Sequence, residues 1–232
     1  MGVRQLSELV QMDSHEAVLD EVHIILDLIS PGPDIGRVTS AFILAVNLYN
    51  GIYPGYQACN TEYHDLHHTI DVFLAMARII HGATLNNIHF TERQIFLALI
   101  AALLHDVGYI QEEHDKQGTG SKYTDCHVQR SMDFVEKYGD QNGFSEEEIS
   151  SLKVIILCTD ITIDISTIDF PSAKIKNLGK MLAVVDLLAQ MADRIYLEKL
   201  LFLYHEYREA NFGDYQSELD LLHKTIKFYD FV

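Results

Sequence analysis

Apolar and polar residues follow one another along most of the chain with the spacing of amphipathic helices. This pattern predicts helices over residues 3–29, 36–49, 91–105, 123–138, 146–158, 175–192, 194–210 and, more weakly, 213–229. A further helix is predicted to begin near Thr61 or His64 and to run to Ile80. Alternation typical of a strand is confined to residues 161–168. The pattern therefore predicts an all-α, multi-helix fold.

Breaks between these segments are short. The sequence SPGP at residues 30–33 ends the first helix, and residues 50–60 and 111–122 are predicted to be loops. Ser145 and Glu148 have the spacing of a capping box at the start of a helix. Because no repeat, low-complexity tract or linker interrupts the chain, we predict one domain over residues 1–232, with an N-terminal helix at 3–29 and a core at about 36–200.

Composition narrows the possible functions. Apolar residues make up 48% of the 232 residues, as expected for a packed globular chain. The 17 Lys and Arg against 34 Asp and Glu give a net charge of −17, which disfavours binding to duplex nucleic acid or to anionic membranes. Three cysteines without CxxC spacing, and no signal peptide pattern, favour a reducing, cytoplasmic location. A phosphate-bearing substrate would need local positive charge, which a divalent metal can supply.

Histidine and aspartate are concentrated in the segment YHDLHHTIDV at residues 63–72. If this segment is helical, His64 and His68 share one face, and Asp71 lies close to that face. Neutral imidazole is a good ligand for divalent metals, and a carboxylate can orient the ring from behind. The alternative interpretation of this segment alone is a helix start with solvated histidines.

Two other ionisable positions follow or interrupt apolar helices. His105 and Asp106 come directly after the apolar run FLALIAALL, and Asp186 interrupts KMLAVVDLLAQMA. Ionisable groups in such settings cost free energy unless they are paired or bind a metal. For Asp186 the alternatives are a helix cap or an ion pair with Arg194, and Asp193 is a competing candidate ligand.

The order and spacing of these residues resemble the H…HD…D pattern of the HD-domain metal-dependent phosphohydrolases, through His68, His105, Asp106 and Asp186. The closest resemblance is to the cyclic-nucleotide phosphodiesterase branch. Residues 63–72 are similar to its YHNxxHxxDV element, and 97–106 to its helix ending in HD. Residues 156–160 are similar to its ATD element, and 185–187 to its late aspartate segment. The resemblance covers roughly residues 36–200.

This resemblance implies a site and an activity. His68, His105, Asp106 and Asp186 would hold a first metal, for which mixed nitrogen and oxygen ligands suit Zn, Fe, Mn or Ni. Asp106 would also contact a second ion, Mg or Mn, completed mainly by water. His64 would be the general acid. Three further residues are candidates to orient the ligands without binding the metal: Asp71, Asp160 and His127. A lone helical histidine such as His127 is, however, more often structural.

Two departures from the branch concern the substrate. Tyr109 stands where the branch usually has a histidine, and no residue after Asp186 clearly fills the role of its purine-reading glutamine. The expected function is therefore hydrolysis of a phosphodiester or phosphate ester of a small nucleotide, which includes 3',5'-cyclic nucleotides. The alternative is a catalytically silent metal- or ligand-binding module that acts through a partner.

Overall fold

Helices account for most of the residues that the structure describes, which are 10, 12 and 14–228 of a computed structural model. The helices are α1 (His15–Ile29), α2 (Gly36–Tyr49), α3 (Leu66–Leu85), α4 (Glu92–Leu104), α5 (His127–Gln141), α6 (Glu146–Leu157), α7 (Ala173–Ala192), α8 (Tyr196–Ala210) and α9 (Glu218–Phe228). Within this part of the chain no strand forms, only two isolated bridges. The predicted all-α class is confirmed.

Side-chain caps determine where several helices begin. Thr91 and Gln94 form a capping box at the start of α4, and Ser145 and Glu148 form the predicted one at α6. Ser172 caps α7 by accepting a hydrogen bond from a backbone N–H of the first turn. Each cap satisfies donors that a helix start leaves unpaired, which explains why these helices begin at the residues they do.

The third helix begins later than predicted, because Asp65 is its N-terminal cap. Its side chain accepts a hydrogen bond from the backbone N–H of His68 at 2.9 Å, so α3 begins at Leu66 rather than near Thr61 or His64. His64 therefore precedes the helix, and the prediction that it shares a helical face with His68 is wrong. The two rings still lie near each other, with centroids 6.2 Å apart.

Other helix ends also differ from the predictions. Residues 10, 12 and 14 are not helical and Ser14 caps α1, while the remainder of the predicted 3–14 segment lies outside the described residues. Residues 120–123 form a 3₁₀ turn, so α5 begins at His127 rather than at 123. The last helix begins at Glu218 rather than at 213, because residues 211–217 form turns after the left-handed Asn211.

The most apolar helix lies at the centre of the fold. Every residue of α4 from 95 to 104 is buried. Helix α4 contacts α2, α3, α6 and α7, and α3 in turn packs on α1 and α7. This packing brings the C-terminal end of α4, the first turn of α3 and the middle of α7 to one place, where the ionisable residues lie.

Helices α8 and α9 form a second, smaller apolar cluster beside this core. Its buried members are Tyr63, Tyr196, Leu200, Leu203, Tyr204 and Leu221. Helix α8 also packs on the 3₁₀ turn at Gly120–Tyr123. None of the described helices is long and apolar enough to cross a membrane.

Candidate metal centre

Four side chains predicted as metal ligands come together in the interior. His68 lies in the first turn of α3, His105 and Asp106 directly follow α4, and Asp186 lies in the middle of α7. The backbone leaves the α-helix after Leu104 and enters a 3₁₀ turn at Val107–Tyr109, so the adjacent side chains of His105 and Asp106 can converge. All but Asp186 are fully buried, and Asp186 lies at the wall of a cavity.

The spacing of their polar atoms suits a shared ion. His68 Nε2 lies 3.0 Å from Asp186 Oδ1 and 3.5 Å from Asp106 Oδ2. His105 Nε2 lies 3.4 Å from Asp106 Oδ2 and 3.5 Å from Asp186 Oδ1. Donor atoms about 2.1 Å from one ion, at tetrahedral or octahedral angles, are about 3.0–3.4 Å apart. His68, His105 and Asp106 could therefore hold one divalent metal, and Asp186 Oδ1 lies within 3.5 Å of both imidazoles.

Unsatisfied polar atoms at the same place support this fit. Among the described residues, His68 Nε2, His105 Nε2 and Asp106 Oδ2 are buried without a hydrogen-bond partner. His105 Nδ1 lies 2.8 Å from the carbonyl oxygen of Ala102, which only accepts, so Nδ1 donates there and Nε2 faces Asp106 and Asp186. Buried polar atoms without partners are rare in folded proteins, and an absent ion is one standard reason for them.

The imidazoles and carboxylates of the cluster are electrostatically coupled. Burial raises the pKa of Asp186, but the nearby imidazoles of His105 and His68 lower it below its usual range. The pKa of Asp106 is likewise lowered, against its burial, by His105. The pKa of His105 is raised to about 9, because Asp106 and Asp186 outweigh the effect of burial. The two carboxylates thus stay ionised in the interior, where the charge of His105 compensates them.

His64 lies at the edge of the cluster with a carboxylate partner. Its Nδ1 is 2.6 Å from Oε2 of Glu206, a buried residue of α8. The other oxygen of Glu206 accepts a hydrogen bond from the backbone N–H of Tyr63 at 2.7 Å. Burial lowers the pKa of His64, but Glu206 outweighs it and raises the pKa above the ordinary value. Glu206 therefore positions this imidazole and favours its protonated form.

Tyr109 is sandwiched between two imidazoles. Its ring stacks on His64 with centroids 4.3 Å apart and on His127 with centroids 4.4 Å apart. His127 Nδ1 lies 2.7 Å from the carbonyl oxygen of Thr124, and its Nε2 lies 3.7 Å from Asp106 Oδ1. Asp106 thus has one oxygen toward His68 and His105 and the other toward His127. Tyr109, which stands where the phosphodiesterase branch usually has a histidine, therefore packs between His64 and His127 beside the site.

The remaining sequence-predicted residues lie around the cluster. Burial raises the pKa of Asp71, one turn after His68 on α3, to about 6, against the lowering effect of His68 and Lys199. Asp160 lines the same cavity as Asp106, and its side chain accepts two hydrogen bonds from Thr162. Asp193, the competing ligand candidate, pairs with Lys199 at 2.8 Å.

Two residues beside the site were missed at the sequence level. Glu206 follows the buried residues Leu200, Leu203 and Tyr204 of α8, and its position one turn after Leu203 on the apolar face was the available sign in the sequence. Gln190 follows Asp186 by one turn of α7. Its Nε2 lies 3.4 Å from Asp186 Oδ1, and its Oε1 accepts a hydrogen bond from the Tyr63 hydroxyl at 2.6 Å.

Comparison with protein families identifies the family of this chain. Residues 53–232 match the model of a family described as Npun_R2479-like. The chain belongs to the Npun_R2479-like family. The matched residues contain the whole cluster together with His64, Tyr109, His127 and Glu206, whereas α1 and α2 lie outside the match. No curated protein and no solved structure matches the chain. The family's description states no activity.

Proposed function

We propose that this protein is a metal-dependent phosphohydrolase that cleaves a phosphate ester or phosphodiester of a small nucleotide-like substrate. The observation that carries the proposal is the pair of features at one cavity wall. A cluster of two imidazoles and two carboxylates, with three buried atoms lacking hydrogen bonds, adjoins an imidazole that a buried glutamate orients. Metal ligands beside a positioned proton donor are the parts that metal-assisted ester hydrolysis requires.

His68, His105, Asp106 and Asp186 would hold the first divalent ion. Asp106, whose Oδ1 faces His127 Nε2 at 3.7 Å, would also help to hold a second ion. When bound, such ions neutralise phosphoryl oxygens and lower the pKa of a coordinated water toward neutrality. The same four residues suit Zn, Fe, Mn or Ni, and an oxygen-rich neighbouring site suits Mg or Mn.

His64 would protonate the leaving oxygen. Its Nδ1 is engaged with Glu206, which leaves Nε2 of the protonated ring to donate. Glu206 raises the pKa of His64 and so favours the protonated ring. Tyr109 stacks on one face of the imidazole and limits its rotation. These contacts position the donor before a substrate binds, which is how general acids gain efficiency.

Because the chain is strongly acidic, an anionic substrate would bind only where a metal ion supplies positive charge. The net charge is −17, and the cavity that contains the cluster is lined by the carboxylates of Asp106, Asp125, Asp160 and Asp186. A phosphate group would be repelled here unless dications reverse the local sign. The proposed chemistry and the proposed ions therefore depend on each other.

The experiment that tests this function combines metal analysis with turnover. The protein is equilibrated with Mn²⁺, freed of excess ion, and assayed with bis-p-nitrophenyl phosphate and p-nitrophenyl phosphate. We expect bound metal and hydrolysis, with the first substrate reporting diesterase and the second monoesterase activity. Bound metal without turnover of either substrate would favour the silent binding module, and a protein that retains no metal would refute the proposed site. His105→Ala is the matched control, since it removes one ligand.

A further inference from the structure

The cavity that contains the catalytic candidates extends well beyond them. It has a volume of about 550 Å³, and His64, Asp106 and Asp186 form only one part of its wall. That volume lies within the range of pockets that bind small organic molecules, about 300–1,000 Å³. A phosphoryl group at the cluster would fill a small fraction of it. The remaining lining residues would therefore contact the part of the substrate that is not the phosphoryl group.

This remaining wall is mainly apolar and aromatic. Helix α8 and the turn after it contribute Leu200, Leu203, Tyr207 and Phe212, and the segment after α6 contributes Ile161. The ring centroids of Tyr207 and Phe212 lie 5.0 Å apart, so the two rings form a continuous aromatic surface. Apolar walls of this kind bind apolar substrate surface because its removal from water is favourable.

Positive charge in this wall is scarce. Among the described residues that line the cavity, Lys224 is the one lysine or arginine. Its Nζ lies 2.9 Å from Asp220 Oδ2 and 2.5 Å from the carbonyl oxygen of Asp214, so its charge is already paired. Asp125 and Asp160 add negative charge to the same wall. A second anionic group on the substrate, away from the metal cluster, would meet repulsion instead of a partner.

We propose that the substrate carries a single phosphoryl group on an apolar or aromatic organic remainder, which lies against α8 and the segment after α6. This inference rests on the proposed function and specifies its substrate class. It selects monophosphate esters and single phosphodiesters with a ring or hydrocarbon portion. It rejects polyphosphates and sugar phosphates that carry further acidic groups.

Three phosphonates test the proposal as non-hydrolysable probes in calorimetric titrations of the Mn²⁺-loaded protein. They are methylphosphonate, phenylphosphonate and 4-carboxyphenylphosphonate, which share the metal-binding group. We expect phenylphosphonate to bind at least about tenfold more tightly than methylphosphonate, since a buried ring adds apolar contact. We expect the carboxylate on the same ring to weaken binding by about threefold or more, because it faces an acidic wall.

A charge variant makes the test directional. Ile161→Lys places a cation in the wall beside Asp160 and should strengthen binding of 4-carboxyphenylphosphonate relative to phenylphosphonate. Ile88→Lys is the matched control, since Ile88 is also exposed but lies in the connection between α3 and α4, away from the cavity lining. The control should leave the ratio of the two affinities unchanged.

The outcomes separate the two proposals. Equal affinities for all three probes in the metal-loaded protein, or tightest binding of the carboxylated one, would overturn the substrate class and leave the proposed hydrolase standing. A protein that holds no metal and binds none of the probes would overturn both. An equal response of the ratio to Ile161→Lys and Ile88→Lys would place the ring outside the cavity and overturn the substrate class.

Discussion

His64 and Glu206 lie 142 residues apart in the sequence, yet Nδ1 of the histidine is 2.6 Å from Oε2 of the glutamate. The contact joins the segment before α3 to the buried side of α8. It ties the candidate general acid to the second apolar cluster rather than to the central core. The protonation of His64 thus depends on a helix that carries no candidate metal ligand.

Replacement of Glu206 by Gln should shift the pH dependence of turnover. Burial lowers the pKa of His64 and Glu206 raises it, so the neutral amide should lower that pKa. A general acid is active in its protonated form, and activity is lost as pH rises through its pKa. The alkaline decline should therefore begin at lower pH in the variant. An unchanged alkaline limb, measured in a protein with normal metal content, would contradict the role of Glu206.

Replacement of His64 by Ala should separate chemistry from metal binding. The four proposed ligands remain, so metal content should stay the same. Turnover should fall by about two to four orders of magnitude, the usual contribution of a positioned proton donor. The fall should be smaller for p-nitrophenyl esters, whose leaving group needs little protonation, than for alkyl esters. Equal losses on both substrates would argue against the acid role, and loss of the metal would make His64 a ligand.

Much of the fold was predictable because local chemistry determines it. The run at 95–104 is apolar throughout, and it forms the buried centre of α4. Ser145 and Glu148 marked the start of α6 by their spacing alone. The start of α3 was missed because Asp65, itself part of the histidine-rich segment, caps the helix through a side-chain hydrogen bond.

The site was predictable only where an ionisable residue interrupts an apolar segment. His105, Asp106 and Asp186 have that property, and the structure brings them together with His68. The partnership of His64 with Glu206 depends on how α8 packs, which local pattern does not determine. The stack of His64, Tyr109 and His127 likewise depends on where α5 begins relative to the 3₁₀ turn after α4.

Replacement of Asp106 by Ala should remove most of the bound metal and abolish turnover. Its two oxygens face opposite sides, Oδ2 toward His68 and His105 and Oδ1 toward His127, so one carboxylate would serve both ions. Elemental analysis of the purified variant measures this directly. Asp193→Ala is the control, because Asp193 pairs with Lys199 and should be dispensable for the metal. Full metal occupancy without Asp106 would show that it is no ligand.

Replacement of Gly108 by Ala should destabilise the packing of α5 against the turn that follows α4. A Cβ at this position would lie 1.9 Å from the carbonyl oxygen of His127, so α5 must move. Overpacking of this kind costs about 1–3 kcal/mol. The movement should also displace His127 from Asp106 and weaken metal retention. Urea unfolding and metal analysis measure the two effects.

The control for this substitution is Gly82→Ala in α3, where the added Cβ meets nothing within 4 Å. Because alanine is favoured over glycine inside a helix, the unfolding free energy of this variant should rise by about 0.5–1 kcal/mol. If Gly108→Ala were as stable as Gly82→Ala and kept its metal, the close approach of α5 to the turn after α4 would not be required.

Replacement of Glu148 by Gln should destabilise the fold in a pH-dependent way. Glu148 is buried and joins three helices: Oε1 lies 2.8 Å from Arg37 Nη1 and 3.2 Å from Arg93 Nε, and Oε2 accepts from the N–H of Ser145. Burial raises its pKa, but Arg37 and Ser145 outweigh this and lower it to about 2. The loss at pH 7 should be about 1–3 kcal/mol, typical of a charge-assisted hydrogen bond.

The pH dependence follows from the direction of this shift. The pKa of Glu148 is lower in the folded state than the ordinary value of about 4.3, so its stabilising effect is complete above that value and is lost as pH falls toward about 2. The difference in unfolding free energy between wild type and Glu148→Gln should therefore be largest at pH 7 and smaller at pH 3. Glu147→Gln is the control, because Glu147 is exposed and 3.6 Å from Arg93 Nη2, a pair worth about 0–1 kcal/mol. A pH-independent difference for Glu148→Gln, in urea titrations at both pH values, would mean that its charge does not stabilise the contact between α2, α4 and α6.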